Sequence, residues 1–299
     1  MADRVDHLYF FMLGLTIVFT LLIFLLIVYF ALKYRRRSEA LPPPTANNNT
    51  LEITWTIIPS IIVLGIFCWG AKLYIDQFTP PADAMEIYVV GKQWMWKIQH
   101  PQGRREIDEL HVPTGKPIKL LLSSEDVIHD FFIPDFRMKH DVLPGRYTAE
   151  WFQANRIGTY HIYCSQYCGT NHAQMIGTVT VMEPTKYQQW LADVSADEPP
   201  AKSGARLFAQ YGCNTCHGQR APTMAGLFGS KAQLSNGSTV IVDENYLRAS
   251  ILDAPTTLVA GYPPIMPSYR GQLTEDQLNQ LVAYIKSLQT IPNTTDVKP

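Results

Sequence analysis

Residues 8–32, LYFFMLGLTIVFTLLIFLLIVYFAL, run for 25 positions without a charge. A helix needs about 20 such residues to cross the hydrocarbon core of a bilayer, where backbone polar groups are satisfied only inside a helix or a closed barrel. This segment therefore has to be a membrane helix. It exceeds the apolar part of a signal peptide and lacks a small-residue cleavage pattern, so it reads as a retained anchor. A second run, residues 53–75, is uncharged as far as Ala71, and its Pro59 and glycines are tolerated in a membrane helix. The two spans form a hairpin. Between them Lys33, Arg35, Arg36 and Arg37 outweigh Glu39 and Glu52, and an excess of positive charge in a short loop marks the cytoplasmic side. Both termini and everything beyond residue 76 are then expected on the outer face.

The apolar residues thin out after the hairpin. Across 299 residues the chain is 46% hydrophobic and 17% charged, and a net charge of −1 argues against a nucleic-acid partner. From about residue 85 to 182 there are short β-branched and aromatic runs: MEIYVV, IKLLLSS, RYTAEWF, TYHIYC and MIGTVTVM. The turn residues HPQG, PTGKP, LPGR and ANRIG separate them, which predicts an antiparallel β sandwich or barrel. The polar, proline-containing stretch at 195–203 predicts a linker. Beyond it SGARLFAQYG resembles a capped helix, and residues 273–289, with Thr274 before an acidic first turn, form an amphipathic one. The expected division is a hairpin over 1–79, a β domain over 80–194, the linker, and a small helical domain over 204–299.

Of the five cysteines, Cys68 lies in the second apolar run and reads as a small buried hydrophobe. The other four fall in two clusters with metal-type or cofactor-type spacing, which argues against a disulfide framework. The first is CSQYCGTNHAQM at 164–175. Zinc could use Cys164, Cys168, His172 and a further histidine, but Met175 has no role in a closed tetrahedral zinc site. A single blue-copper ion would leave one cysteine over. Two thiolates four residues apart suit a pair of copper ions.

The pattern C-x-Q-x-C-x-x-x-H-x-x-M resembles the CuA loop of cytochrome c oxidase subunit II. The resemblance makes Cys164 and Cys168 the bridging ligands of a dinuclear centre, His172 and Met175 terminal ligands, and the carbonyl of Gln166 a weak one. It supplies His129 in SSEDVIHDFFIPDF as the second imidazole, ahead of His111, His140 and His161. Glutamate usually stands at position 166 in that family and also reaches a magnesium at the interface with subunit I. Gln166 lacks the charge, which puts a magnesium site in doubt. Similarity extends over residues 8–190, through LEITWTIIP and GKQWMWK. It implies Trp94 as the point where electrons enter the copper centre, with methionine at 95 where tyrosine is commoner. It also implies Glu52 as the entrance to a proton pathway, although an acidic first turn after Thr50 suits the helix dipole by itself.

The second cluster, CNTCH at 213–217, is the attachment signature for c-type haem: Cys213 and Cys216 form thioethers and His217 takes an axial position. Attachment takes place outside the cytoplasm, in agreement with the topology. No histidine follows His217, so the second axial ligand is Met224 or Met266. The arrangement resembles class I cytochromes c, with Met266 in GYPPIMPSYRG the preferred ligand.

The chain thus resembles subunit II of a bacterial haem-copper oxidase with a cytochrome c domain fused at its C-terminus. The expected architecture is a transmembrane hairpin, a cupredoxin-like β sandwich and a small all-α cytochrome domain. The function implied is that of an electron-entry subunit in the inner membrane, its redox domains periplasmic. Electrons would pass from an external donor, such as a cytochrome c or a quinol-oxidising complex, through covalent haem c and CuA to subunit I. There dioxygen is reduced and protons are pumped. A CuA subunit of a nitric oxide reductase and a copper-carrying assembly protein are the alternatives.

Overall fold

A computed structural model of the chain describes residues 1–37, 47–192, 198–218 and 220–288. Glu39 of the expected cytoplasmic loop and residues 195–197 of the expected linker lie outside the described residues. The chain divides into two compact units, Met1–Thr79 and the remainder from Pro80.

In the first unit α1 (Ala2–Lys33) and α2 (Asn49–Phe78) are both long and apolar enough to cross a membrane. They exceed the apolar runs because the polar ends continue the helices. Arg4, early in α1, meets Asp76, late in α2, at 2.5 Å, so the helices are antiparallel. Asn48 caps α2 by accepting from the Leu51 amide at 3.1 Å, which places Thr50 inside the first turn. Cys68 is exposed on the helix surface, contrary to the expected burial, because an apolar membrane helix turns most of its surface outward.

The second unit opens with ten strands: β1 (Met85–Lys92), β2 (Met95–Gln99), β3 (Arg105–Ile107), β4 (Glu109–Pro113), β5 (Pro117–Ser124), β6 (His129–Ile133), β7 (Met138–Val142), β8 (Thr148–Gln153), β9 (Gly158–Cys164) and β10 (Ile176–Met182). They form two five-stranded sheets, β3-β2-β1-β5-β8 and β4-β10-β9-β6-β7. The sandwich is not purely antiparallel. β1 pairs with β5 in parallel, and β4 with β10, because the chain changes sheet at β4 and returns at β5. Alternation along β1 and β5 sends Ile87, Val89, Leu120 and Leu122 into the core with Trp96, Phe131, Ile162 and Val179. The tight turn after β4 uses Gly115 at φ +76°, a conformation that favours glycine.

α3 (Pro184–Ala192) ends the cupredoxin-like domain. The helical domain comprises α4 (Pro200–Gln210), α5 (Glu244–Leu252) and α6 (Glu275–Ser287), with a two-stranded hairpin, β11 (Lys231–Gln233) and β12 (Thr239–Ile241). α4 starts at Pro200, inside the stretch expected to be linker. A proline at the first helical position costs no hydrogen bond. Ser203 is accordingly within the helix, where its hydroxyl donates to Glu198 at 3.0 Å. α4 crosses α6 so closely that a Cβ on Gly204 would lie 1.9 Å from the Gln280 carbonyl oxygen. Thr274 and Gln277 form a reciprocal capping box on α6. This helix and α5 cover the outer face of the first sheet, where Tyr88, Leu121 and Tyr147 are buried against Leu247, Leu281 and Ile285.

Candidate copper and haem centres

Strand pairing assembles the copper loop. β6 lies beside β9 with Phe131 opposite Cys164, so His129 at the start of β6 and Cys164 at the end of β9 arrive at the same end of the sheet. The chain then folds back through a 3-10 turn at His172–Gln174, and the Cys164 amide donates to the Met175 carbonyl at 3.2 Å. Cys164 Sγ stands 3.7 Å from Cys168 Sγ, 4.0 Å from His129 Nδ1 and 3.2 Å from the Gln166 carbonyl oxygen. Cys168 Sγ is 3.6 Å from His172 Nδ1 and 3.8 Å from Met175 Sδ. Both thiols are free.

The six expected donors therefore converge. His129, Cys164, Cys168 and Met175 are buried, while His172 is half-buried and the Gln166 side chain is exposed. Two thiols, two imidazoles, a thioether and a carbonyl form a soft donor set, and it fits copper. Burial pushes the Cys164 thiol up, but His129 and nearby backbone groups outweigh it and bring it down to about 7. Burial and the neighbouring Cys164 push Cys168 up. The competing histidines stand elsewhere: His161 is exposed on β9, His140 lies on β7, and His111 is bound to Glu106 at 2.5 Å.

Asp126 fixes which nitrogen of His129 faces the thiols. Its carboxylate accepts from His129 Nε2 at 2.8 Å, which leaves Nδ1 to face the thiols, the usual way a carboxylate orients a metal-binding imidazole. The same carboxylate accepts from the Gln93 amide at 2.8 Å, and the Gln93 side chain donates to the Cys168 carbonyl at 2.8 Å. Asp126 and Gln93 thus tie the His129 loop to the cysteine loop. Sequence reading passed over both. An acid three residues before a candidate ligand histidine was the available signal.

Gly91 completes the site by its lack of a side chain, since a Cβ there would lie 2.9 Å from His129 Cδ2. Trp94 sits over Gly169 of the ligand loop, at 3.2 Å from a Cβ built there. Trp96 is fully buried, edge-on to Phe131 and His129. β2 turns Trp96 into the core, whereas Trp94 stays at the ligand loop.

The helical domain carries an apolar pocket with about 980 Å³ of empty space, including that at its mouth. Cys213, His217, Met224 and Met266 are among its lining residues. His217 donates from Nδ1 to the Pro222 carbonyl at 2.8 Å, so Nε2 is left for a ligand. The pocket's size, apolar lining and free imidazole nitrogen fit a haem. Both candidate methionines reach it. Met224 packs into the domain's apolar core with Leu227 and Phe228, whereas among the described residues Met266 is not part of that core.

Comparison with known proteins divides the chain in the same order. Residues 1–73 match the transmembrane domain of cytochrome c oxidase subunit II, residues 104–182 its periplasmic domain, and residues 201–289 the cytochrome c family. The cytochrome c oxidase subunit 2 of Alkalihalophilus pseudofirmus is 29% identical over 278 residues, covering 87% of this chain and 80% of the relative. The alternative cytochrome c oxidase subunit 2 of Bradyrhizobium diazoefficiens is 30% identical over 205 residues, covering 58% of this chain and 74% of the relative. The chain belongs to the cytochrome c oxidase subunit 2 family. A solved periplasmic domain of subunit II from Bradyrhizobium japonicum is 30% identical and covers 38% of this chain and 95% of its own, with a TM-score of 0.37.

As an oxidase subunit the chain is anchored in the membrane, and its two redox domains imply a CuA copper centre and a haem c. Glu52 stands exposed in the first turn of α2, where its amide donates to the Asn48 carbonyl at 3.0 Å. A further cluster of Glu106, Glu109 and His111 has ligand-type atoms within 4.8 Å of one another. Glu106 is already committed there: His100 Nε2 lies 2.7 Å from one carboxylate oxygen and His111 Nδ1 2.5 Å from the other. His111 stacks on Trp190 and Arg104 lies over the same indole, so the cluster clamps α3 to the sandwich.

Proposed function

We propose that this chain is the electron-entry subunit of a proton-pumping terminal oxidase, passing electrons from an external donor through haem c and CuA to subunit I. The convergence of two buried thiols, two imidazoles and a thioether within 4.0 Å contacts, in a chain that also carries a haem-type pocket, supports this reading. When bound, the copper pair and the haem each take up and release one electron at a time.

The chain's own residues hold that chemistry still. Cys164 and Cys168 would hold the copper between them, and His129, His172 and Met175 would complete its donor set. Gln166 serves through its backbone carbonyl, with no magnesium assigned to its uncharged side chain. Asp126 keeps His129 in one tautomer, and the apolar walls around Met175 exclude water. In the haem domain Cys213 and Cys216 would anchor the haem, and His217 and Met266 would hold its iron. Trp94, lying over the copper loop, is the entry point for electrons from outside the loop. The positive residues Lys33 and Arg35 to Arg37 set the hairpin loop in the cytoplasm and both redox domains in the periplasm. Glu52, at the cytoplasmic start of α2, opens the proton path. The division is a hairpin over 1–79, a copper domain over 80–194 and a haem domain beyond the linker.

Electron paramagnetic resonance of the purified protein tests the reading. A delocalised mixed-valence copper pair is expected. A four-line pattern from one copper, or stoichiometric zinc, would refute it.

A further inference from the structure

The linker would let the haem domain act as a tethered carrier that swings to and from the copper domain, but its contacts argue otherwise. Tyr88, Leu121 and Tyr147 point away from the sandwich core on β1, β5 and the turn before β8, yet they are only 5%, 3% and 2% exposed because α5 and α6 cover them. The Tyr147 amide donates to Asn245 Oδ1 at 2.7 Å, and Asn245 Nδ2 donates back to the Tyr147 carbonyl at 3.2 Å. The Tyr147 hydroxyl donates to Asn279 Oδ1 at 2.6 Å. Arg248, buried and held by both oxygens of Glu275 at 2.5 Å, lies over the Tyr147 ring. One copper-domain tyrosine is thus gripped through its backbone, its ring and its hydroxyl.

Beside it is a closed ring of four charges. Glu86 and Lys119 are opposite each other in the β1–β5 register, and Glu244 and Lys286 come from α5 and α6. Lys119 lies 3.0 Å from Glu86 and 3.1 Å from Glu244. Lys286 lies 2.7 Å from Glu86 and 2.9 Å from Glu244. All four side chains are between 14% and 21% exposed. Each domain contributes one acid and one base, so a half-turn of one domain on the other would set like charges together and smaller rotations would unpair them. Such a pattern selects one orientation and offers little to a generally charged partner. A second tie, Lys97 to Asp276 at 3.1 Å and to Glu125 at 2.6 Å, joins the first turn of α6 to the loop that carries Asp126.

Desolvating charges is unfavourable unless they are held in fixed, fully paired geometry. An interface made and broken at every electron transfer gains nothing from four such groups. We infer that the haem domain is permanently docked on the outer β1–β5–β8 face of the copper domain, with the Glu86–Lys119–Glu244–Lys286 ring as the key that sets its orientation. Its weight for electron transfer rests on the function proposed above, but the docking itself does not. The haem-to-copper step then belongs to one rigid body and is independent of linker length.

Hydroxyl-radical footprinting of the full-length protein in detergent tests this without requiring an electron to move. In the wild type Tyr88 and Tyr147 should stay unmodified at low and at high salt, while exposed Tyr167 reacts. Inserting a Gly-Ser segment between Ala196 and Asp197 should change nothing. Glu244→Lys leaves Lys119 and Lys286 facing a third cation and should weaken docking on the order of a hundredfold or more, raising the modification of Tyr147 several-fold. Tyr187, buried within the copper domain, must remain unmodified as a sign that the fold persists. Tyr147 reacting like Tyr167 in the wild type, or on linker lengthening alone, would overturn the fixed docking. Full protection of Tyr147 in the folded Glu244→Lys protein would overturn the role of the charge ring.

Discussion

Gly91→Ala tests how tightly the β sheet positions the His129 imidazole beside the thiols. The new Cβ would lie 2.9 Å from His129 Cδ2, 3.2 Å from Trp96 Cζ3 and 3.3 Å from His129 Cγ. Carbon atoms rest about 3.5–4.0 Å apart, so ring or strand must move by roughly half an ångström. Neither is free to do so. His129 is fully buried and held by Asp126, and β1 is bonded to strands on both sides. Overpacking of this kind costs about 1–3 kcal/mol, which lowers the Tm of a unit of this size by about 2–12 °C. Thermal unfolding of the copper-free protein reads the packing cost. Copper content and the paramagnetic spectrum of the reconstituted protein read the displacement of His129. Both should change, whereas Gly65→Ala, with nothing within 4 Å of its Cβ, should alter neither. A wild-type spectrum together with a Tm drop below about 1 °C would refute the reasoning.

Two further outcomes follow from particular groups. Burial alone would raise the Glu244 carboxyl, but Lys286 and Lys119 bring it down to about 2, and Glu86 is lowered against its own burial by the same two lysines. With both folded values below the ordinary 4.5, the ring's contribution is complete above about pH 4.5 and is lost as pH falls toward 2. Tyr147 should therefore become reactive in footprinting between those values, ahead of Tyr187. In the haem domain Met266→Ala should abolish the sulfur-to-iron band at the red end of the oxidised spectrum and lower the haem potential. Met224→Ala should keep the band while losing about 2 kcal/mol of stability in denaturant titration, the low end for a half-buried methionine. The reverse pair of results would transfer the axial role to Met224.

The features legible in the sequence were those written in adjacent residues. The uncharged runs are legible as membrane helices because a continuous apolar run satisfies its backbone polar groups within itself only as a helix. The copper loop and CNTCH could be read because their candidate ligands lie a few residues apart, and Thr274 ahead of Glu275 and Asp276 marked α6 for the same reason. What the sequence left open depends on contacts across long separations. Gln93 reaches Asp126 and Cys168 across 33 and 75 residues, so the support of His129 has only a weak local signature. Tyr147 and Asn279 meet across 132 residues. The run LLL at 120–122 breaks the alternation expected of a strand with one wet face. Leu120 and Leu122 fill the sandwich core and Leu121 lies beneath the haem domain, an assignment that requires a second domain on the sheet's outer face. Sequence alone determined the three kinds of piece, a membrane hairpin, a β sandwich and a helical domain, because membrane spans and ligand motifs are local. Only the tertiary structure decided how the haem domain is fixed to the copper domain, because paired charges such as Glu86 and Lys286 come together only when strand and helix are already packed.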